Sequence, residues 1–233
     1  MEFITASQAI GDIISPKVNY NINTIDGLYA KQLSNIFKSK FTPLIEILQN
    51  HEKRNHSYKV KARFRLYQIL NNLNGTKNDT LKLMSGGSEG KEVIDKVFNS
   101  FKKQELLVKS GEKELFEFPK TPEYLTEYFE NIRSQKHSQR AIKENEPAPA
   151  QMTVPDDLCH YSQNELRTLT VREMARFQSF PDWFIFQSKI TTGGEQRRFE
   201  VPQYTQVGNA VPPLLAFYPG QTISKLLNEI KVR

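Results

Sequence analysis

The residues best suited to binding chemistry lie near the end of the chain, in the stretch QYTQVGNAVPPLLAF from Gln203 to Phe217. Gly208 permits a backbone conformation or a close approach that a side chain would block. The amide of Asn209 can either cap a helix or bind a polar ligand. Pro212 and Pro213 suit the first turn of a helix, where the missing N–H groups would be unpaired anyway. From these residues alone, the stretch favours a capped C-terminal helix that packs on a core.

The chain contains one cysteine, Cys159, and this limits its chemistry. A single thiol cannot form an intrachain disulfide or a cysteine-based zinc site, so no metal site is predicted. A chain without paired cysteines also favours a reducing, intracellular setting.

Basic residues outnumber acidic ones, with 32 lysines and arginines against 26 aspartates and glutamates and a net charge of +6 at pH 7. This balance fits a polyanion such as nucleic acid, but many basic proteins bind none. At 233 residues the chain is long enough for one large domain or two small ones. No apolar run approaches the roughly 20 residues that span a bilayer, and the N-terminus does not resemble a secretory signal, so no membrane partner is predicted.

The first half of the chain predicts mainly helices. Thr5 is placed to cap a short helix, with Gln8 completing a capping box. A longer helical pattern from Tyr29 to Leu48 is broken by Pro43. An amphipathic helix follows and is expected to end at Gly75.

The middle of the chain adds two more helices and a hairpin. The pattern GKEVIDKVFNSFKKQELL predicts a helix, and LLVKSGEKELFEF alternates around Ser110-Gly111 as a β-hairpin does. PEYLTEYFENIRSQKHSQR predicts a further helix with a basic tail. The order helix, helix, hairpin resembles a winged-helix arrangement. The stretch IKENEPAPAQM is a connector and a domain boundary.

The stretch RTLTVREMARFQSFPDWFIF, Arg167 to Phe186, has the densest local signals. Thr170 predicts an N-cap, and Glu173 completes a capping box three residues later. Arg172 and Arg176 fall on one face of this helix, which is expected either to be solvated or to contact phosphate. The aromatic residues after Pro181-Asp182 predict a plug at the end of the helix.

These two stretches, in this order and spacing, resemble the ninth and tenth motifs of bacterial DNA (cytosine-5) methyltransferases. The resemblance covers about the last 80 residues, and ASQAIGDI near the N-terminus resembles the segment that leads into the family's target recognition domain. It implies that Asn209, Gly208 and Ala210 line the pocket for the cofactor S-adenosyl-L-methionine. Many relatives carry a small hydroxyl residue where Ala210 stands. The ninth motif implies structural roles for residues such as Arg172.

The resemblance also shows what the sequence lacks. The family reaction adds a cysteine thiolate to C6 of a flipped cytosine, and that cysteine follows a proline. No Pro-Cys occurs in this sequence, because Cys159 follows Leu158, and the Phe-x-Gly-x-Gly cofactor loop is also absent. Cys159 is therefore interpreted as a partly buried structural thiol, and no catalytic residue is assigned. The expected enzyme is split or truncated and inactive as this chain alone.

The fold class implied is α/β: the C-terminal portion of a Rossmann-like, S-adenosylmethionine-dependent methyltransferase with a mixed α+β target recognition domain. The predicted segments are a lead-in (1–50), the target recognition domain (51–150), and the ninth and tenth motifs returning to the methyltransferase core (151–233).

Arginine and lysine supply phosphate contacts and guanine readout. The residues chosen as contacts to double-stranded DNA are Arg54, Lys61, Arg63, Arg140 and Arg197. A solvated surface charge remains the alternative at each.

The sequence leaves other functions open. The first hypothesis is that the chain is part of a methyltransferase in a bacterial restriction-modification system. A catalytic partner chain that carries the missing N-terminal motifs would complete the enzyme. Its expected location is the cytoplasm, at the nucleoid when it acts on DNA. The alternative is a non-enzymatic winged-helix-like DNA-binding module, and an inert gene fragment is the third. The apolar face of the last helix favours the partner chain, because an open face of this kind promotes association.

Overall fold

The computed structural model describes residues 3–14, 21–22, 27–40, 42–73, 75–87, 89–134, 139–151, 153, 157–192, 196 and 199–231. In these ranges, the helices are α1 (Ala6–Ile10), α2 (Leu28–Phe37), α3 (Tyr58–Leu70), α4 (Lys77–Ser85), α5 (Lys91–Phe101), α6 (Pro122–Asn131), α7 (Val171–Phe177), α8 (Gln203–Asn209) and α9 (Pro213–Lys231). The strands are β1 (Leu106–Ser110), β2 (Lys113–Glu117), β3 (Arg140–Ala141) and β4 (Leu158–Cys159).

The chain divides into two compact units, each assembled from separate parts of the sequence. Unit 1 comprises Met1–Lys53, Glu144–Pro155 and Leu169–Arg233, and unit 2 comprises Arg54–Lys143 and Asp156–Thr168. These bounds reflect which residues pack together and assign no function to either unit. The predicted functional segments 1–50, 51–150 and 151–233 stay a prediction.

Unit 1 is organised by two helices with capping boxes. The side chain of Thr5 accepts a hydrogen bond from the backbone N–H of Gln8, and the Gln8 side chain accepts one from the Thr5 N–H. Thr170 and Glu173 form the same reciprocal pair at the start of α7. Both predicted capping boxes are confirmed. Each pair satisfies N–H groups that the first turn of a helix leaves without partners.

Unit 2 is built around α3, which is more deeply buried than an amphipathic helix. All seven residues from Phe64 to Leu70 are buried, because β1 and β3 both pack against this helix. The Gln68 amide donates to the backbone carbonyls of His160 and Ser162, at 2.9 and 2.8 Å. The predicted amphipathic helix ending at Gly75 is therefore corrected to a helix that ends at Leu70 and is buried along its last seven residues. Hydrogen bonds between side chain and backbone allow a polar residue inside this core.

The predicted hairpin is confirmed. β1 and β2 pair antiparallel with Ser110 opposite Lys113, so the turn consists of Gly111 and Glu112. Gly111 has a φ of +61°, which glycine adopts without a steric penalty. The burial of Leu106, Leu107 and Val108 anchors the hairpin in the core of unit 2.

Helix α4 was not predicted from the sequence. Its signals are short: Asp79 lies in its first turn, and Gly86 ends it in a left-handed conformation with a φ of +87°. The predicted break near Pro43 is also displaced, because α2 ends at Phe37 and no helix is described between there and Leu48.

The described residues have a mixed helix and sheet structure. β1 and β2 form one two-stranded sheet, and β3 and β4 form a second, parallel one. The Rossmann-like core and the target recognition domain are not visible as such in these ranges and stay predictions. Among the helices described, none combines the length and the apolar character required to cross a membrane.

Candidate functional site

The segment expected to bind a polar ligand lies between α8 and α9 in unit 1. Gly208 and Asn209 are the last two residues of α8, and Ala210 follows them. Gly208 is helical, because α8 begins after Pro202 and buries Tyr204 and Val207 one turn apart, so of its two predicted uses the close approach remains. α9 begins at Pro213, within the predicted proline pair.

Asn209 does not cap α9, which removes one of its two predicted roles. The backbone N–H of Leu214, in the first turn of α9, instead donates to Oγ of Ser179 at 3.0 Å. The Asn209 side chain is exposed and makes no hydrogen bond with the described residues. With Gly208 and Ala210 on either side, it is flanked only by small residues. This arrangement fits a segment that approaches a ligand closely and offers one free amide.

Two residues of this site were missed from the sequence. Gln178 and Ser179 directly follow α7, and Gln178 Nε2 donates to the Val207 carbonyl at 3.3 Å. Ser179 is buried and has a φ of +63°. The sequence gives no signal for either contact, because both join stretches about 30 residues apart.

Arg176 of α7 is fully buried in a network of acidic partners. Its Nη2 and Nε atoms contact the two carboxylate oxygens of Asp182 at 2.7 and 3.0 Å, and its Nη1 contacts Asp12 at 2.5 Å. Burial alone would lower the pKa of Arg176, but these carboxylates outweigh it and raise that pKa. Burial would raise the pKa of Asp182, but Arg176 reverses this and lowers it. Both groups are therefore charged at neutral pH.

Arg172 is also fully buried, but most of its partners are neutral. Its guanidinium donates to the backbone carbonyls of Gln49, Pro181 and Phe184, at 3.0, 3.2 and 2.6 Å. Burial lowers its pKa to about 10, with Asp182 opposing the change. The expectation of a solvated or phosphate-binding face on α7 was wrong. Both arginines join α7 to the first 53 residues of the chain, and for Arg172 this agrees with the structural role that the resemblance implies.

The aromatic residues after α7 form the predicted plug. Phe180 packs against Phe184 and Phe186 with ring centroids 4.9 and 5.0 Å apart. The Asn50 side chain donates to the Phe186 carbonyl and to Gln203 of α8, at 2.9 and 3.0 Å. Through Asn50, the aromatic plug that follows α7 is therefore linked to α8 by hydrogen bonds.

Cys159 lies in β4 of unit 2 and is fully buried, more completely than predicted. Its Sγ donates to the Phe64 carbonyl at 4.0 Å. Burial raises the pKa of this thiol, which disfavours the reactive thiolate. Among the described residues, no group of histidine, cysteine, aspartate and glutamate is arranged to hold a metal ion.

Four of the five predicted DNA contacts lie in unit 2. Lys61 pairs with Glu114 at 2.9 Å, and Arg63 donates to the Ile132 carbonyl at 3.2 Å. Arg54 is half-buried and Arg140 is exposed on β3. Arg197 lies outside the described residues. As a set they stay a prediction, and Lys61 and Arg63 already have partners within unit 2.

One groove of unit 2 has the wrong charge for DNA. It lies between α5 and α6 and has a volume of about 540 Å³. Its lining contains four carboxylates and one ammonium group, from Asp95, Glu123, Glu127, Glu130 and Lys91. Because phosphate is repelled by such a surface, this groove is unsuited to a nucleic-acid backbone.

The apolar face of α9 has no partner among the described residues. Six of its large apolar side chains are 53% to 69% exposed: Leu215, Tyr218, Ile223, Leu226, Leu227 and Ile230. Near its start, Phe217 packs edge-on against Phe37 of α2, with ring centroids 5.7 Å apart. α9 is thus held to unit 1 at its first turns only.

Comparison with known proteins gives one family. The C-5 cytosine-specific DNA methylase family matches residues 5–225. The chain is 48% identical over 66 residues to Type II methyltransferase M.DdeI of Desulfomicrobium norvegicum, covering 28% of this chain and 15% of that protein. It is 40% identical over 86 residues to M.Eco47II of Escherichia coli, covering 37% and 17% respectively.

A further relative differs in how much of it is covered. Type II methyltransferase M.AquIB of Picosynechococcus is 36% identical over 93 residues, which is 39% of this chain and 66% of M.AquIB. The chain thus spans less than a fifth of M.DdeI and M.Eco47II and just under two thirds of M.AquIB.

Proposed function

The chain belongs to the C-5 cytosine-specific DNA methylase family, and we propose that it supplies DNA target recognition and completes the S-adenosyl-L-methionine pocket of a DNA (cytosine-5) methyltransferase. Members of this family take the methyl group from S-adenosyl-L-methionine. In the proposal, a separate partner chain supplies the catalytic residues and the rest of the cofactor pocket.

The observation that carries the proposal is the state of Cys159. The family reaction needs a reactive thiolate, yet the chain has one cysteine, which is buried, has a raised pKa and is not preceded by proline. The nucleophile must therefore come from residues outside this sequence. In this account, the chain is inactive alone.

Two further observations support a separate partner chain. A match of 93 residues covers 66% of M.AquIB, whereas one of 66 residues covers 15% of M.DdeI, so M.AquIB is much the shorter protein. Proteins named Type II methyltransferases therefore include short chains. The exposed apolar face of α9 also needs a cover, and a methyltransferase core would provide one.

Within the proposed pocket, this chain's part is to bind and orient. The Asn209 amide is free to hydrogen-bond to a polar group of S-adenosyl-L-methionine, and Gly208 and Ala210 leave room for close approach. When bound, S-adenosyl-L-methionine supplies the electrophilic methyl group. These residues fit the cofactor because they offer one uncommitted donor and acceptor beside two small side chains.

In the proposed recognition role, unit 2 provides the basic residues that contact DNA. Arg140 is exposed and Arg54 half-buried, whereas the carboxylates of the groove between α5 and α6 repel phosphate. Because the relatives are Type II methyltransferases, the proposed setting is restriction-modification in a bacterial cytoplasm, with the protein at the nucleoid when it acts on DNA.

The test is transfer of labelled methyl from S-adenosyl-L-methionine to DNA by this chain alone and in a mixture with a partner. The partner is the product of a neighbouring gene that encodes the Pro-Cys and Phe-x-Gly-x-Gly motifs. The proposal predicts transfer in the mixture only. Transfer by the chain alone would contradict it and would return attention to Cys159.

A non-enzymatic DNA-binding module is the second candidate. It is favoured by the separate hydrophobic core of unit 2, which includes Phe64, Phe101 and Phe129. DNA binding without methyl transfer in the mixture would support this candidate. It does not account for the free Asn209 or the apolar face of α9.

A further inference from the structure

Helix α9 receives its N-terminal cap from another part of unit 1. Pro212 precedes the helix and Pro213 begins it, so neither contributes an N–H or a capping side chain. Leu214 is the first residue of α9 with an N–H to satisfy. That group donates to Oγ of Ser179 at 3.0 Å. The hydroxyl of Ser179 thus caps α9, a role that the side chain of the N-cap residue has in many other helices.

Ser179 adopts a conformation that glycine would adopt more easily. Its φ is +63°, in the left-handed region where a side chain is unfavourable. Glycine at this position would relieve the conformational cost, but it would also remove the hydroxyl that Leu214 needs. The buried serine therefore maintains a contact at the expense of backbone strain.

Gln178 makes the matching contact on the other side of the segment. Its Nε2 donates to the Val207 carbonyl at 3.3 Å. Val207 immediately precedes Gly208-Asn209-Ala210, and Leu214 lies four residues beyond Ala210. Two neighbouring side chains at the end of α7 therefore hold both ends of the segment that contains the free Asn209 amide.

We propose that Gln178 and Ser179 are positioning residues that fix the segment Gly208–Ala210 for binding of S-adenosyl-L-methionine. The inference rests on the proposed function, which assigns that segment to the cofactor pocket. Because Ser179 caps α9, the Asn209 side chain is left available for the cofactor. Gln178 holds the Val207 carbonyl, which directly precedes Gly208, by a hydrogen bond. Their effect is on cofactor binding, and DNA binding by unit 2 does not depend on them.

The test compares Ser179→Gly with Ser179→Asn in the full chain. Glycine accepts the positive φ but provides no cap, whereas asparagine tolerates that φ and carries an acceptor oxygen. In Ser179→Gly we expect the KM for S-adenosyl-L-methionine in the mixture with the partner to rise about fivefold, as loss of one hydrogen bond predicts. The Kd for DNA and the unfolding midpoint should stay unchanged, and Ser179→Asn should restore the KM. Ser100→Ala, which removes a surface hydroxyl on α5, serves as the matched control.

A second readout needs no activity. Hydrogen exchange of the Leu214 amide in the chain alone should be about fivefold faster in Ser179→Gly than in wild type, with the Thr170 cap region unchanged. Unchanged exchange at Leu214 would overturn the inference, as would an unchanged KM in an active mixture. An equal loss of DNA binding would likewise overturn it, since the role would then be structural. An inactive wild-type mixture would contradict the proposed function and not the exchange result.

Discussion

Helices α7 and α9 belong to the same unit, yet α7 buries charge and α9 exposes apolar side chains. Arg172 and Arg176 of α7 have no exposed surface, and their guanidinium groups find partners within the chain. Ile223 and Leu227 of α9 are more than half exposed. The charged groups of α7 are thus satisfied within this chain, whereas the described residues leave the apolar face of α9 uncovered, which is the feature that the proposed partner accounts for.

The largest expected effect comes from breaking the network of α7. Arg176→Met leaves the carboxylates of Asp12 and Asp182 without their cation in a buried site. We expect the free energy of unfolding to fall by about 3–5 kcal/mol, measured by chemical denaturation. Lys189→Met is the control, because its ion pair with Glu200 is on the surface and should matter little. Equal effects of both variants would show that α7 is not held by buried charge.

The next largest effect concerns α9. Ile223→Glu combined with Leu227→Glu should weaken association with the partner at least tenfold, because charged groups would face an apolar interface. The unfolding midpoint of the chain alone should not change, since both side chains are already exposed. Analytical ultracentrifugation of the mixture measures the first quantity. The control, Lys225→Glu, changes a polar position of the same helix. Unweakened association in the double variant would remove α9 from the interface.

Acid should weaken α7 through Asp182. Arg176 lowers the pKa of this buried carboxyl against the effect of burial, so the folded state holds the proton less tightly than the unfolded state. Its stabilising contribution is present above the unfolded pKa of about 3.9 and is lost as pH falls through the lower folded value. The free energy of unfolding, measured from pH 6 downward, should therefore fall below about pH 4. Asp182→Asn should be less stable at pH 6 and should show a smaller acid-induced loss.

The smallest expected effect comes from comparing a basic residue of unit 2 that has an ion-pair partner with one that has none among the described residues. Lys61 is paired with Glu114, whereas Arg140 has no ion pair within the described part of the chain. Arg140→Met should weaken DNA binding by about 1 kcal/mol and reduce its salt dependence by about one phosphate contact. Lys61→Met should do less. Fluorescence anisotropy with duplex DNA over a range of salt concentrations measures both, and the reverse order would place the DNA on the α3 side.

Local sequence signals predicted the elements that depend on neighbouring residues. The capping boxes at Thr5 and Thr170 and the hairpin turn at Gly111 each involve residues within four positions, and all three are confirmed. The proline pair likewise predicted the start of α9. Such contacts are set by chemistry that a short stretch of sequence contains.

Three of the misses depend on contacts between distant residues. Arg176 was expected on a solvated or phosphate-binding face, but it is buried between Asp182, six positions away, and Asp12, 164 positions away. Capping a helix was one of two roles predicted for Asn209, whereas the acceptor at the start of α9 is Ser179, 35 positions from Leu214. Helix α3 was expected to be amphipathic, but β1 and β3, which come later in the chain, pack against it. Hydrophobic periodicity reports on residues close in sequence, so it could not reveal these long-range contacts.

Hydrogen exchange along α9, with and without the partner chain, tests the central claim most directly. Only the first turns of this helix are held by unit 1 in the structure, so the amides from Ile223 to Ile230 should exchange rapidly in the chain alone. The account predicts strong protection of those amides in the mixture that transfers methyl groups to DNA. Active methyl transfer without any protection of these amides would contradict it.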